Sequence, residues 1–267
     1  MSDRQVRNHG LPPGGVDLWY TPVAKACDAQ LLEAYRSLLT TAESQQAARF
    51  VFDKHRHQYL VTRALVRTTL SHYYDVQPED WVFAPDEFGK PHVVGPIKLP
   101  LAFNISHSEG LVICGVADLP LLGVDVERVD RSIQPLTIAK RFFARPEVAY
   151  LDRLDEIRRR EAFFQIWTLK EAYIKACGKG FSLPLADFAF QLAPDAPTTI
   201  AFLADLQDDP QRWQFVQLQL APYCLAIAAR CEQRGALPLR VGQSVPLHEA
   251  DVLQALDTGG GKSVVAL

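Results

Sequence analysis

No run of apolar residues in this chain approaches the roughly 20 needed to cross a bilayer as a helix. No charge sign dominates either. The 28 basic and 31 acidic side chains leave a net charge of −3 and a pI near 6.2. That balance excludes a global attraction to nucleic acid or to an anionic membrane, leaving room only for a local basic patch. No CxxC occurs. The five cysteines, Cys27, Cys114, Cys177, Cys224 and Cys231, are odd in number and scattered among small or apolar residues, which excludes a disulfide framework and a zinc site. The first fifteen residues are polar, end in Pro and Gly, and lack the apolar core of a signal peptide. The expectation is a cytoplasmic protein that binds neither nucleic acid nor membrane.

What is present is an ordinary globular composition, 48% apolar and 22% charged over 267 residues. That length suits one large domain or two small ones. After a flexible arm over 1–15, Val16-Asp17-Leu18-Trp19-Tyr20 alternates as a strand does, and Pro22 ends it. Residues 28–48 read as one helix. A longer helix follows over 53–73, with Tyr59, Leu60, Ala64, Leu65 and Thr68 at core spacing and Arg63 and Arg67 off that stripe. Trp81-Val82-Phe83 reads as a strand and 87–91 as a turn. Strands are expected over 111–117 and 122–127. Helices follow over 136–143, 146–154 and 158–177, the last stopped by Gly178. Strands near 187–192, 213–220 and 223–230 come next. Both halves read as helix, long helix, glycine-containing turn, then antiparallel strands, and Gly89-Lys90 is echoed by Gly178-Lys179. The expected subdomains are 16–121 and 122–231, with a poorly ordered tail over 232–267 where Gly, Pro and polar residues dominate.

Three segments could carry chemistry. On a strand, Asp125 and Glu127 project from one face while Val124 and Val126 take the other. Two such carboxylates either form the solvated edge of a half-exposed strand or share a hard cation such as Mg²⁺. On the last long helix, Glu171 and Lys175 share a face four residues apart, with Trp167 one turn earlier. They are either a routine surface pair or part of a site, and the density of aromatics and aliphatics around them leaves little free surface. Finally, Phe103-Asn104-Ile105-Ser106-His107-Ser108 reads as a polar turn able to present hydroxyl, imidazole and N–H groups to a phosphate.

Taken in order, Gly89-Lys90-Pro91, Asn104-x-Ser106-His107-Ser108, Gly123-x-Asp125-x-Glu127 and Trp167-x-x-Lys170-Glu171-x-x-x-Lys175 resemble the Sfp-type 4′-phosphopantetheinyl transferases. The match runs from about 87 to 185, ending in Gly178-Lys179-Gly180-Phe181-Ser182-Leu183-Pro184-Leu185, and fades over Arg49–Arg67. The resemblance implies an α/β (α+β) chain of two similar, pseudo-twofold related subdomains, each a small, mostly antiparallel sheet on a long helix, with the active site in the cleft between them. It implies a monomeric enzyme that moves the phosphopantetheine arm of coenzyme A to a serine of an apo-acyl or peptidyl carrier protein. Asp125, Glu127 and Glu171 would hold Mg²⁺, Glu171 would take the serine proton, and Lys175 would stabilise the pyrophosphate. Ser106 and His107 would meet the nucleotide end, His107 near the 3′-phosphate, and Lys90 would lie along the cofactor. Family members commonly carry Lys or Arg just before the Phe matching Phe50. Here that stretch is Glu43-Ser44-Gln45-Gln46-Ala47-Ala48, and Arg49 is the substitute.

Two rival readings use the same residues: another Mg²⁺-dependent phosphoryl or nucleotidyl transferase, and a non-catalytic coenzyme A or carrier-protein binding module. Retention of three carboxylates and Lys175 argues against the second, since binding alone needs no base. Gly259-Gly260-Gly261-Lys262-Ser263 is not a phosphate loop, because Leu256 stands where its first glycine should be. His55-Arg56-His57 lacks a third metal ligand and reads as solvated. Arg158-Arg159-Arg160 reads as an exposed helix start, or as part of a docking face for an acidic carrier.

Overall fold

In the computed structural model the residues described are 10–97, 101–192, 197–203, 206, 208–232, 235–250 and 252–258. In chain order the principal elements are β1 (Val16–Pro22), α1 (Ala29–Ser37), α2 (Thr41–Ala48), α3 (Asp53–Tyr73), β2 (Val82–Pro85), β3 (Pro91–Gly95), β4 (Ala102–Ser108), β5 (Leu111–Ala117) and β6 (Leu121–Arg128). They continue with α4 (Pro135–Phe142), α5 (Arg145–Asp152), α6 (Glu156–Cys177), β7 (Phe188–Gln191), β8 (Thr199–Phe202), β9 (Trp213–Leu220), β10 (Tyr223–Arg230) and β11 (Leu239–Val245). The chain divides into two compact units. One comprises Met1–Asp118 with Pro238–Ala255, the other Leu119–Leu237 with Leu256–Leu267.

The first unit is a sheet in the order β11-β1-β5-β4. β1, β5 and β4 pair antiparallel, while β11 lies parallel to β1. β5 is buried along its whole length. Leu60, Ala64, Leu65 and Leu70 of α3 join Val112, Cys114 and Val116 in one core. Each such aliphatic side chain contributes about 1.5–3 kcal/mol by leaving water.

Four sequence expectations fail here. The helix expected over 28–48 is two, because Thr40 starts α2 with a capping box to Glu43. The segment 103–108 is strand β4, not a turn: its polar residues alternate with Phe103 and Ile105, which pack with the core. Arg67 is wholly buried, its guanidinium bonded to the Glu43 carboxylate at 2.6 Å, with Arg63 on the other oxygen. A helical-stripe argument misses this because the neutralising charge comes from a different helix. The tail expected from 232 contains β11. Arg240 donates to the buried Asp17 of β1 through two bonds of 2.7 and 2.6 Å. Tyr73 Oη donates to the same carboxylate at 2.6 Å and accepts from Trp19 Nε1 at 3.0 Å. Of the arm over 1–15, residues 1–9 lie outside the described residues, as does the 259–263 glycine run.

The second unit holds the antiparallel sheet β6-β10-β9 packed on α6, with β7 and β8 as a separate pair. Asp155 caps α6 by accepting from Arg158 N, and Gly178 in the left-handed region (φ 65°) ends it. Arg159 and Arg160 are not merely exposed: their guanidinium groups bond the backbone carbonyls of Leu151, Leu154, Val129 and Arg131. Among the described residues no helix is long and apolar enough to cross a membrane. The five cysteines are free thiols, Cys27 exposed and Cys114, Cys224 and Cys231 buried.

Candidate active site

In the second unit, Gly123 sets how closely strand and helix approach. A Cβ there would collide with Ala172 O and Ala176 N of α6. The face of β6 that carries Gly123 therefore lies directly on the helix. By the two-residue period of a strand, Asp125 and Glu127 share that face. The acidic pair is thus turned toward α6 rather than left as a solvated edge. Lys175 of α6 donates to Asp125 Oδ1 at 2.6 Å and approaches Val124 O at 3.4 Å. Glu127 accepts from Trp167 Nε1 at 3.2 Å and pairs with Arg131 at 3.2 Å.

These groups act on one another. Burial, then the charge of Asp125, pushes the Glu127 carboxyl above its usual range against the pull of Arg131 and Trp167. Glu171 moves further, up to about 7. Burial is the largest cause, the negative charge of Asp125 is next, and Lys175 opposes them. Three carboxylates set against Lys175 and Arg131 form a locally acidic site with oxygen donors only, the chemistry that suits a hard divalent cation. Among the described residues, no three His, Cys, Asp or Glu side chains are gathered so that they could hold a metal ion by themselves. Mg²⁺ does not need such a set, since it keeps several waters and takes one or two carboxylates together with phosphate oxygens.

α6 is held by a second charge pair beneath this face. Lys170, fully buried, donates to Glu147 Oε2 at 2.8 Å and to the carbonyls of Leu185 and Phe188 at 2.7 and 2.6 Å. Glu147 also accepts from Ala144 N and Phe190 N. All the polar atoms of the Lys170 head are thereby engaged, which makes a buried charge tolerable. Within the Trp167–Lys175 motif, then, Lys170 ties α5 and the segment after α6 together while Glu171 and Lys175 face β6.

The first unit carries a cavity of about 710 Å³ lined by α3, the end of β4 and the β4–β5 turn. His107 lies on it, as do Lys54, His55, His57, Gln58 and Arg63. His57 donates from Nε2 to Ala26 O at 2.6 Å. Of the pair read from sequence as solvated, His55 is exposed and His57 half-buried, and both line this cavity. Ser106 does not: it is buried on β4, one residue out of phase with Ile105 and His107, which do line it. Lys90 is half-buried after the Gly89 turn, where its N–H donates to Asp86 Oδ1 at 2.8 Å, and is not among the lining residues. Arg49 is exposed at the C-cap of α2 and is not among them either.

Sequence reasoning missed Gln58, Arg63 and Gly123 as site residues. For Gly123 the signal was available, since a glycine two residues before an acidic pair on a strand marks a close backbone approach. For Gln58 and Arg63 no local signal exists.

Two family models match. One, described as the 4′-phosphopantetheinyl transferase superfamily, covers residues 121–228. The other, the 4′-phosphopantetheinyl transferase N-terminal model, covers residues 25–118. The chain is 32% identical to the 4′-phosphopantetheinyl transferase HetI of Nostoc sp. (strain PCC 7120), over 80% of this chain and 86% of that protein. It is 36% identical to the 4′-phosphopantetheinyl transferase Sfp of Bacillus subtilis (strain 168), over 63% of this chain and 73% of Sfp. A solved holo-[acyl-carrier-protein] synthase from Thermotoga maritima aligns with 43% of this chain and 65% of its own at 21% identity and a TM-score of 0.35, too slight a likeness to carry weight. On the breadth of its match to HetI and on both family models, the chain belongs to the 4′-phosphopantetheinyl transferase superfamily.

Proposed function

We propose that this enzyme transfers the 4′-phosphopantetheinyl arm of coenzyme A to a serine hydroxyl of an apo-acyl or peptidyl carrier protein and releases adenosine 3′,5′-bisphosphate. The observation that carries the reading is the face where β6 meets α6. Three carboxylates and Lys175 converge there, and the Glu171 carboxyl is pushed up to about 7, into the range of a working base. Asp125, Glu127 and Glu171 are the residues that would hold Mg²⁺. When bound, that ion supplies charge neutralisation for the pyrophosphate oxygens.

The remaining chemistry belongs to side chains. Glu171 accepts the serine proton as the serine oxygen bonds to phosphorus, and the pyrophosphate P–O bond to the departing bisphosphate breaks. Lys175 holds a phosphate oxygen as charge grows on the leaving group, exchanging its hold on Asp125 for that contact. His107 and the cavity beside it receive the nucleotide end of coenzyme A, with Lys90, Ser106 and Arg49 as further candidates toward it. With both units on one chain, the enzyme is read as a cytoplasmic monomer, and light scattering on the purified protein checks the oligomeric part of that reading.

The test is incubation with coenzyme A, Mg²⁺ and a panel of apo-carriers, followed by mass spectrometry of the intact carrier. A gain equal to the phosphopantetheinyl group is the expected result. A nucleotidyl gain would assign the carboxylates to another transferase, and no gain on any carrier would leave a binding module.

A further inference from the structure

The rim of the first unit's cavity carries a contact whose direction can be worked out from elementary donor and acceptor rules. Gln58 of α3 stands between the β4–β5 turn and His107. Gly110 N donates to Gln58 Oε1 at 3.4 Å, while Gln58 Nε2 lies 2.9 Å from His107 Nδ1. A backbone N–H cannot become an acceptor, so the Gly110 contact fixes which end of the amide is oxygen. The NH₂ end must then face His107. An NH₂ group only donates, so Nδ1 must be the ring's lone-pair nitrogen and the proton must sit on Nε2.

We propose that Gln58 is a positioning residue that holds His107 as the neutral Nε2–H tautomer, so that the ring offers one N–H donor to an anion instead of acting as an imidazolium. Protonating His107 in place would set Nδ1–H against N–H. The charged form therefore requires the glutamine to leave Gly110 or the imidazole to leave its site. The other charged and titratable groups lining the same cavity are Lys54, His55, His57, Tyr59 and Arg63 from α3 and Glu109 from the turn. Two of the permanent charges are already matched, Lys54 with Glu109 at 3.1 Å, and Arg63 with the Glu43 carboxylate. The donor rule at Nδ1 is thus not overridden by a large uncompensated charge beside it. The inference rests on the reading that His107 meets the nucleotide end of coenzyme A for its functional meaning, but not for its geometry.

The experiment uses the full chain with ¹⁵N-labelled histidine, the His107 signals being assigned by their loss in His107→Gln. Long-range ¹H–¹⁵N spectra report which ring nitrogen carries the proton. The wild type is expected to show the lone pair at Nδ1. Gln58→Glu offers an acceptor to both Gly110 N–H and Nδ1–H. It should move the proton to Nδ1 and raise the titration midpoint by at least about one pH unit. Gln58→Ala should release the ring to a mixture of tautomers with a midpoint near 6.5. The other histidine signals, unmoved, show that each variant is folded. An Nδ1–H tautomer in the wild type, or a midpoint unchanged in both Gln58 variants, overturns the proposal. Adding adenosine 3′,5′-bisphosphate then separates the two claims. If His107 keeps the predicted tautomer but its signals ignore the nucleotide, the Gln58 inference stands and the placement of the nucleotide falls.

Discussion

Lys175 Nζ lies 2.6 Å from Asp125 Oδ1, although the two residues are fifty positions apart in sequence and sit on different elements. The lysine occupies a carboxylate that a cation would otherwise claim. On the proposed function, Lys175 would pass from Asp125 Oδ1 to a phosphate oxygen when Mg²⁺ and the pyrophosphate bind. Lys175 is about a third exposed and its stem is flexible, so the exchange needs no backbone movement.

Asp125→Ala and Glu127→Ala should each lower turnover by about a hundredfold or more, the scale of losing several kcal/mol of charge stabilisation. Thermal unfolding should move little, since Lys175 and Arg131 are exposed enough to find solvent. Carrier modification at saturating Mg²⁺ is the measurement. Near-normal activity in either variant would remove that residue from the metal set.

Glu171 makes two predictions of opposite sign. Its carboxyl is pushed up to about 7, chiefly by burial and then by Asp125, from an ordinary 4.5. The folded protein therefore binds the Glu171 proton more tightly than the unfolded chain does. This group's contribution to stability declines as pH rises from about 4.5 to about 7 and is flat on either side. Activity should run the other way, rising as the base form appears, at a lower pH than the metal-free carboxyl alone would set. Mg²⁺ favours the charged form, so its binding near pH 6 should release protons, seen as a buffer-dependent heat in calorimetry. Glu171→Gln should keep coenzyme A binding, lose turnover by 10²–10⁴-fold, flatten the stability decline and abolish the proton release. If binding collapses along with turnover, Glu171 is a ligand and not the base.

Gly123→Ala tests the close approach of β6 and α6. The added methyl meets backbone atoms on the helix, which cannot rotate away, so urea unfolding should show a loss of about 1–3 kcal/mol. Because the strand must back off, Asp125 and Lys175 part as well, and activity should fall by more than stability alone explains. A variant with full stability and full activity would show that strand and helix do not press together there.

The Lys170–Glu147 pair separates structure from catalysis inside one motif. Lys170→Met leaves Glu147 buried without its cation and should cost about 3–5 kcal/mol. Adding Glu147→Gln should recover part of that loss, and the double variant, where folded, should turn over carrier at a rate close to the wild type. A soluble, stable double variant with no turnover would instead give Lys170 a part in the chemistry.

Much of the second unit's site was legible in the sequence because its geometry is periodic. A two-residue spacing on a strand and a four-residue spacing on a helix each specify a face without knowledge of the partner, and Asp125, Glu127, Glu171 and Lys175 obey both. What escaped was set by remote partners. The strand over 102–108 was hidden because its core residues alternate with Asn104, Ser106 and Ser108, the composition of a turn. Arg67 looked like a surface residue until Glu43, twenty-four positions earlier, supplied its charge. The first unit's cavity draws on α3 and the β4–β5 turn, which no short motif joins.

The return of β11 to the first unit bears on how the chain is made. Asp17 is fully buried, and Arg240, its bidentate partner, is translated more than two hundred residues later. Until that arginine leaves the ribosome, the carboxylate of β1 has no guanidinium to meet and the edge of the sheet it belongs to lacks its parallel neighbour. The usual order of co-translational folding, N-terminal part first, is thereby reversed for this sheet. The main segment of the second unit, Leu119–Leu237, is complete on the ribosome before the first unit receives its last strand.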